Sequence, residues 1–583
     1  MACFWIFHCL IGAAIYHLGT MVPRMLGSNT AGPICPNCAR IRVTLIGGGN
    51  MASRPNSICE PVFLNCMPAL NRRQFTARLL QSSGAVLVGS PLVGRAVAAP
   101  AVLEDRPQVT HGIASGDVSF ASAVIWSRAD RRARLVIEWG TVESFKDARR
   151  VRGPWTGDDK DYTAKLLLRD LPSGQRIFYR VQFENDKGTA GEPVTGQFMT
   201  AAREERDVFF AWSGDTCGQG YGINPEFGGL KTYESMRRAQ PDFFIHSGDN
   251  IYADGVMERE MKLPSGAIWK NLTTPEKSKV AETLAEFRGN YRYNLLDENV
   301  RRFYSEVPIF SQWDDHEVLN NWYPGKMLAE DSRYTVKDVD VLAARARQAF
   351  FEYLPLRGGA GAKVYRTIPR GPLCELFFLD QRTYRSANTG NRQPRRSAIT
   401  DYLGEDQLGW LKEALLRCRS TWKVICSDMP VGIIVGDANN TYENCANGNG
   451  PALGRELEIA DLLRFIKAQR IRNVIWLTAD VHYAASLFYD PARAQFTDFD
   501  GFWEFVSGPL HAASLSPGGL DNTFGPEIRW VSRKKGSKAS GPYTNEQYFS
   551  TVRIDGRTKT ATVTHCNRDG ERLWDITLEA GAL

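Results

Sequence analysis

Histidine is scarce in this chain, eight in 583 residues, and no lysine- or arginine-rich run interrupts it. The formal charge is only +6, so there is no basic stripe to follow a phosphate backbone and no nucleic-acid surface is expected. No internal repeat is present. Six of the twelve cysteines fall in the first 66 residues, and the rest (Cys217, Cys374, Cys418, Cys426, Cys445, Cys566) are scattered. Cys35-x-x-Cys38 is half a zinc site without a second half. Residues 1–19, MACFWIFHCLIGAAIYHLG, sit at the lower limit for a membrane span and are interrupted by His8 and His17, so no stable span is expected. What remains is the composition of a globular protein, 43% hydrophobic and 23% charged. At this length about two to four domains are expected.

The first hundred residues read as addressing. After a Gly-, Pro- and Cys-rich stretch the texture changes at Met67. Arg72-Arg73-Gln74-Phe75 then precedes a moderately apolar run ending in Ala96-Val97-Ala98. That layout is a twin-arginine export signal over 67–99, with cleavage near Ala98 or Ala99. Residues 1–66 are then an upstream extension, Met67 the working start, and the mature protein periplasmic or extracellular, delivered by the twin-arginine machinery.

Over residues 101–202, roughly seven short strand-like runs alternate with turns such as Pro172-Ser173-Gly174 and Asp186-Lys187-Gly188, predicting an N-terminal β-sandwich domain. LRDLPSGQRIFYRV is similar to the corner of fibronectin type III modules, with Ile177 where a tyrosine is usual. His111 and Asp117 in HGIASGD are read as structural. From 203 to 583 apolar strands alternate with helices, predicting a layered α/β domain. Strands are expected at 208–212, 243–246, 308–313, 376–379, 422–426, 474–477 and 503–506. Helices are expected at 230–239, 275–295, 339–353, 405–418 and 454–468. Residues 437–451, rich in Gly and Asn, read as a surface loop.

The chemistry gathers at the strand ends. PDFFIHSGDNIYADG (241–255) runs from an apolar strand into Asp249, Asn250, Tyr252 and Asp254. Four other strands end alike, in Asp215, in Asp314-Asp315-His316-Glu317 with Asn320-Asn321, in Asp428, and in Asp480-Val481-His482. In open α/β sheets ligands collect at this edge. Converging carboxylates repel and resist desolvation, so bound cations are the simplest compensation if the strands are neighbours. Three of the scarce histidines, His246, His316 and His482, lie in these motifs.

The order Asp215; Asp249 with Tyr252; Asp315-His316; Asp428; Asp480-x-His482 resembles that of the metallophosphoesterases, and the tyrosine after Gly-Asp is similar to that of purple acid phosphatases. With the export signal, the β-module, WDDHEVLNN and TADVHYA, the chain resembles the PhoD-type alkaline phosphatases from about residue 70 onward. The resemblance implies a metallophosphoesterase-like α/β fold, a layered β-sandwich core with flanking helices, preceded by a fibronectin III/Ig-like all-β domain. It implies a secreted phosphatase acting on monoesters and on diesters. A phosphodiesterase of the phospholipase D or nuclease kind is the alternative, and a non-catalytic envelope-binding protein the remote one. It also implies ferric iron (Fe3+) at Asp215, Asp249, Tyr252 and His482, with Cys217 the alternative to Asp215. Where two-metal relatives commonly have Asn, His and His, this chain has Asp315, Asp428 and Asp480, an oxygen-rich set suited to calcium (Ca2+) with Asp249 shared and Asn320 or Asn321 completing it. By the same resemblance His316 protonates the leaving oxygen or orients its neighbours. Arg382, in LDQRTYR at another strand end, is expected to fork onto phosphate, with Arg385 the alternative.

Overall fold

The alternation of side chains along short apolar strands decides how this chain layers. A computed structural model describes residues 105–582, and the expected extension and export signal lie outside the described residues. First come β1 (Val109–Gly116), β2 (Ala123–Ala129), β3 (Arg134–Gly140), β4 (Arg149–Trp155), β5 (Thr163–Leu168), β6 (Arg176–Glu184) and β7 (Val194–Met199). Then follow β8 (Val208–Ser213), α1 (Lys231–Ala239), β9 (Phe243–Ser247), the ribbon β10 (Glu260–Lys262) and β11 (Ile268–Lys270), α2 (Leu284–Asn294), α3 (Glu298–Glu306), β12 (Ile309–Gln312) and α4 (Val339–Tyr353). A second series has β13 (Arg366–Pro369), β14 (Cys374–Phe378), α5 (Glu405–Arg417), β15 (Trp422–Cys426), the ribbon β16 (Gly436–Asp437) and β17 (Thr441–Tyr442), α6 (Glu456–Ala468) and β18 (Val474–Thr478). The last strands are β19 (Ala485–Tyr489), β20 (Phe502–Val506), β21 (Pro526–Val531), β22 (Tyr548–Ile554), β23 (Ala561–Asn567) and β24 (Arg572–Leu578).

Among the described residues two large sheets form, ordered β24-β23-β22-β8-β9-β12-β1-β2-β5 and β13-β14-β15-β18-β20-β19-β21. Phe210, Phe243, Ile245 and Phe310 of the first meet Leu376, Val424, Ile475 and Phe505 of the second in one core. The residues between them in sequence face outward. Ala211 and Phe244 pack under α1 to α4, while Phe377, Ile425 and Trp476 pack under α5 and α6. Because both faces of these strands are covered, they read as continuous apolar runs rather than as alternating ones. The layers are therefore helices, sheet, sheet, helices. Strands β8, β9 and β12 are parallel neighbours, as are β14, β15, β18 and β20. Their C-terminal ends thus emerge together.

Three expectations change. The β-module has its seven strands, but only β4-β3-β6-β7 form a sheet of their own; β1, β2 and β5 continue the nine-stranded sheet. The join is Gly116 beside Ile309 of β12, where a Cβ would lie 2.5 Å from the Ile309 carbonyl oxygen. The boundary near 202 falls between β7 and β8, and the described residues on both sides of it belong to one compact unit. The helix expected over 275–295 is a turn of 3-10 helix, Pro275–Lys277, followed by α2, because Thr283 and Glu286 form a capping box that starts a new helix. Finally, residues 437–451 are not simply a surface loop. Glu443, Asn444, Cys445, Ala446 and Asn447 are buried, and the Asn444 amide donates to the Pro430 and Ile433 carbonyls. No helix of the described residues is long and apolar enough to cross a membrane.

Candidate metal centre

The strand ends reach the cleft by turning sharply. Asp215, Asp249, Asp480 and His482 all have positive φ, between 52° and 67°. Such backbone is costly for non-glycine residues and persists where surrounding structure imposes it. Here the Thr216 N–H donates to the Asp249 carbonyl (3.0 Å), and the His511 N–H donates to the Asp215 carbonyl (3.0 Å). These bonds lock the loops after β8, β9 and β20 together. Gly508 must be glycine, since a Cβ there would lie 2.2 Å from Asp215 Oδ2.

The first group is Asp215, Asp249 and His482, whose ligand atoms lie within 4.8 Å of one another. His482 Nε2 is 3.7 Å from Asp215 Oδ1 and 3.0 Å from the Tyr252 hydroxyl. Its Nδ1 is bonded to the Ala513 carbonyl, which places the proton on Nδ1 and leaves the Nε2 lone pair facing the group. Burial pushes this imidazole down to about 4, so the ring is a neutral donor. Burial, then Asp249 and Asp215, push the Tyr252 phenol up. Tyr252 is anchored from behind by the buried Lys277 ammonium, which donates to its carbonyl at 2.7 Å.

Asp249 also joins Asp315 and His316, and Asp315 in turn joins Asp314 and Asp480. Burial raises Asp249, helped by Asp315; burial raises Asp480, helped by Glu443; burial raises Asp215 and Asp428, each helped by Asp314. Asp315 differs. Burial opposes its ionisation, but His316 and Arg382 outweigh it and hold the carboxyl at about 2. Both oxygens of Asp215 and Asp428 and one of Asp315 are buried without a hydrogen-bond partner. Orphaned carboxylate oxygens are costly; cations would satisfy those of Asp215 and Asp315, while Asp428 has the Arg382 guanidinium 3.5 Å away. The donor chemistry fits: one group mixes imidazole, phenol and carboxylate, whereas Asp314, Asp315 and Asp480 offer oxygen alone.

His316 faces the cleft. Its Nδ1 bonds Asp254 Oδ1 at 2.7 Å, and its ring stacks on Tyr252 at 4.2 Å. Burial works against its charged form, but Asp254 and Asp315 raise it to about 10.

Four residues expected at the site, Arg385 and Cys217 as alternatives, stand elsewhere. Arg382 is fully buried; its Nε donates to Asp314 at 2.7 Å, and it pairs with Glu443, with Asp428 at 3.5 Å and with Asp315 at 4.0 Å. The expected phosphate fork is thus corrected, because the guanidinium is turned inward onto carboxylates and does not line the cleft. Arg385 is also buried, donating to the Glu443 carbonyl and to Asn388. Asp428 lies beneath, against Asp314 and Arg382, and joins none of the three groups. Cys217 packs in the apolar core under α1 and α2. His246 is a buried clip to the Thr216 hydroxyl.

Sequence reasoning left Asp314, Asp254, Glu317 and Glu443 without roles. Asp254, five residues after Asp249, carried a signal. Glu317, pushed up to about 7 by burial, accepts from the Asn250 side chain and from the Asp314 N–H, bracing two loops. Glu443 comes from the 437–451 segment and had none. The groups open into a cleft of about 350 Å³ between the strand ends and the loops near 434 and 516.

Residues 210–565 match the family model described as PhoD-like phosphatase, and residues 95–202 match that of the PhoD-like phosphatase N-terminal domain. Alkaline phosphatase D of Bacillus subtilis (strain 168) is 26% identical over 406 residues, 65% of this chain and 66% of that protein. The match therefore spans just under two thirds of that relative's length. The solved structure of PhoD superposes with a TM-score of 0.61 at 19% identity, over 81% of this chain and 90% of that one. A purple acid phosphatase, PPD1, from yellow lupin (Lupinus luteus) seeds gives 0.49 at 12%, over 82% and 74%. The likeness to PhoD shows that the two chains share the layered two-sheet fold.

Proposed function

Because the chain belongs to the PhoD-like phosphatases, a family of phosphoric ester hydrolases, we propose that it hydrolyses phosphate esters at this cleft, releasing inorganic phosphate from monoesters. The observation that carries the reading is Asp249, shared between two ligand groups in which both oxygens of Asp215 and one of Asp315 lack a hydrogen-bond partner. Asp215, Asp249, Tyr252 and His482 would hold a ferric ion, and Asp249, Asp314, Asp315 and Asp480 calcium. Bound cations of this kind polarise phosphoryl oxygens and offset charge on the leaving oxygen. The chain's own residues do the rest. Asp254 fixes the His316 ring through Nδ1, so that Nε2–H is the proton-bearing atom turned to the cleft and is placed to protonate the departing oxygen. Arg382 balances the carboxylates from below. Lys277 and Gly218 fix Tyr252, a Cβ at Gly218 meeting its ring at 2.4 Å.

Diester cleavage is the second reading, favoured by the open space beyond the ligand groups. We further propose export by the twin-arginine machinery to the periplasm or beyond, supported by Arg72-Arg73-Gln74-Phe75 and the small residues before Ala99. N-terminal sequencing of the mature protein tests the export reading, and a start upstream of Arg72 contradicts it. Parallel turnover of 4-nitrophenyl phosphate and bis(4-nitrophenyl) phosphate, with and without chelator, tests the activity. Chelator-insensitive turnover, or none after reloading with iron and calcium, contradicts it.

A further inference from the structure

The cleft is lined by two unlike sets of side chains. Asp249, Asp315, Asp480 and Glu443 are acidic; Ile434, Val435 and Leu515, on the loops that follow β15 and β20, are aliphatic. Those loops are clipped to each other and to the ligand-bearing segment. The Ile434 N–H donates to the Gly519 carbonyl at 2.9 Å, Ile433 bridges Leu520, and the Leu515 N–H donates to the His482 carbonyl at 3.0 Å. Tyr483, next to His482, accepts from the Gly518 N–H at 3.2 Å. The aliphatic side chains are thus carried by hydrogen-bonded backbone beside the ligand groups. Leu515 is 40% exposed, and Ile434 and Val435 are partly exposed.

Among the described residues no lysine or arginine lines the cleft. Arg382 and Arg385 are buried and turned to carboxylates and carbonyls. Lys326, near the rim, points its ammonium at the Asn320 and Asn321 carbonyls, 3.4 and 3.2 Å away. Apart from His316, which is set toward the leaving oxygen, a second anionic group on a substrate would therefore meet carboxylates with no lysine or arginine in reach. An apolar group would meet the aliphatic wall.

Resting on the hydrolase reading above, we infer that the cleft selects phosphate esters whose organic substituent is apolar, an alkyl or aryl group, and that Ile434, Val435 and Leu515 set this selectivity. Each methylene taken out of water contributes roughly a factor of four. Four added methylenes, partly covered in an open cleft, therefore give on the order of tenfold.

The test uses the metal-loaded protein. Ethyl phosphate and n-hexyl phosphate are titrated as competitors of 4-nitrophenyl phosphate turnover, so that each returns a constant whether or not it turns over. Hexyl phosphate is expected to compete about tenfold more tightly. That ratio is expected to fall toward one in Leu515→Ser and in Ile434→Ser, with thermal unfolding confirming that both variants fold. Equal competition in the wild type, or a ratio unchanged in both variants, overturns this inference alone. Absence of 4-nitrophenyl phosphate turnover by the loaded protein overturns the hydrolase reading and this inference with it.

Discussion

Replacing Gly508 by alanine adds one methyl group at the point where the loop after β20 touches Asp215. The new Cβ would lie 2.2 Å from Asp215 Oδ2, more than ~1 Å inside the ~3.5 Å at which non-bonded atoms rest. The neighbour cannot give freely. Asp215 is held through its own backbone, which accepts from the His511 N–H while the Gly214 carbonyl accepts from the Leu510 N–H. Its carboxylate must therefore swing out of the group it shares with Asp249 and His482. Overpacking of this kind costs about 1–3 kcal/mol of stability, and misplacing a reacting or ligating group by ~1 Å can cost about 10²-fold in rate. The assay pairs kcat/KM for 4-nitrophenyl phosphate with elemental analysis and thermal unfolding. Gly409→Ala is the control. It sits on the exposed face of α5 with nothing within 4 Å of a new Cβ, and should stabilise the helix by up to about 1 kcal/mol without loss of metal. A Gly508→Ala protein with wild-type rate and metal content would refute the placement of Asp215 as a ligand.

Three further outcomes are expected. Arg382→Met should destabilise the protein by about 3–5 kcal/mol, because Asp314, Asp428 and Glu443 lose their buried counter-charge; an unfolding midpoint within a degree of wild type would contradict this. Tyr252→Phe should remove a visible tyrosinate–iron absorption from the iron-loaded protein, and a band that survives would exclude the phenolate as ligand. Glu504 is fully buried and pushed by burial from 4.5 to about 7. A carboxyl raised in this direction favours the fold while protonated, so its stabilisation is complete below about 4.5 and is lost as pH rises through about 7. That amounts to about 3 kcal/mol at ~1.4 kcal/mol per unit. Glu504→Gln can still accept from the Val431 N–H and meet the Tyr489 hydroxyl. The gap between variant and wild-type unfolding midpoints should therefore widen in the variant's favour from pH 4.5 to pH 8, and parallel profiles would contradict it.

The strands were legible because their faces are both buried. The runs near 208, 243 and 474 are apolar, that near 422 is apolar apart from Lys423, and each stops shortly before an aspartate. Those stops name candidate residues, but not their arrangement. Nothing in a linear chain says that the end of β8 lies beside the end of β18, an adjacency that only the pairing of two sheets produces. Glu443 was hidden because a Gly- and Asn-rich segment reads as solvent-facing, although hydrogen bonds from Asn444 fold it inward. Arg382 was misread because an arginine at a strand end looks the same whether it faces substrate or carboxylates. Only its complete burial separates the two. The N-terminal module was counted correctly in strands, yet its fusion to the main sheet depends on a glycine close approach at Gly116 that no periodicity reveals.

Elemental analysis of the purified protein beside Asp249→Asn tests the shared-ligand centre most directly. Iron and calcium are expected in the wild type and lost together with turnover in the variant. A variant that hydrolyses 4-nitrophenyl phosphate at the wild-type rate without bound metal would contradict the account.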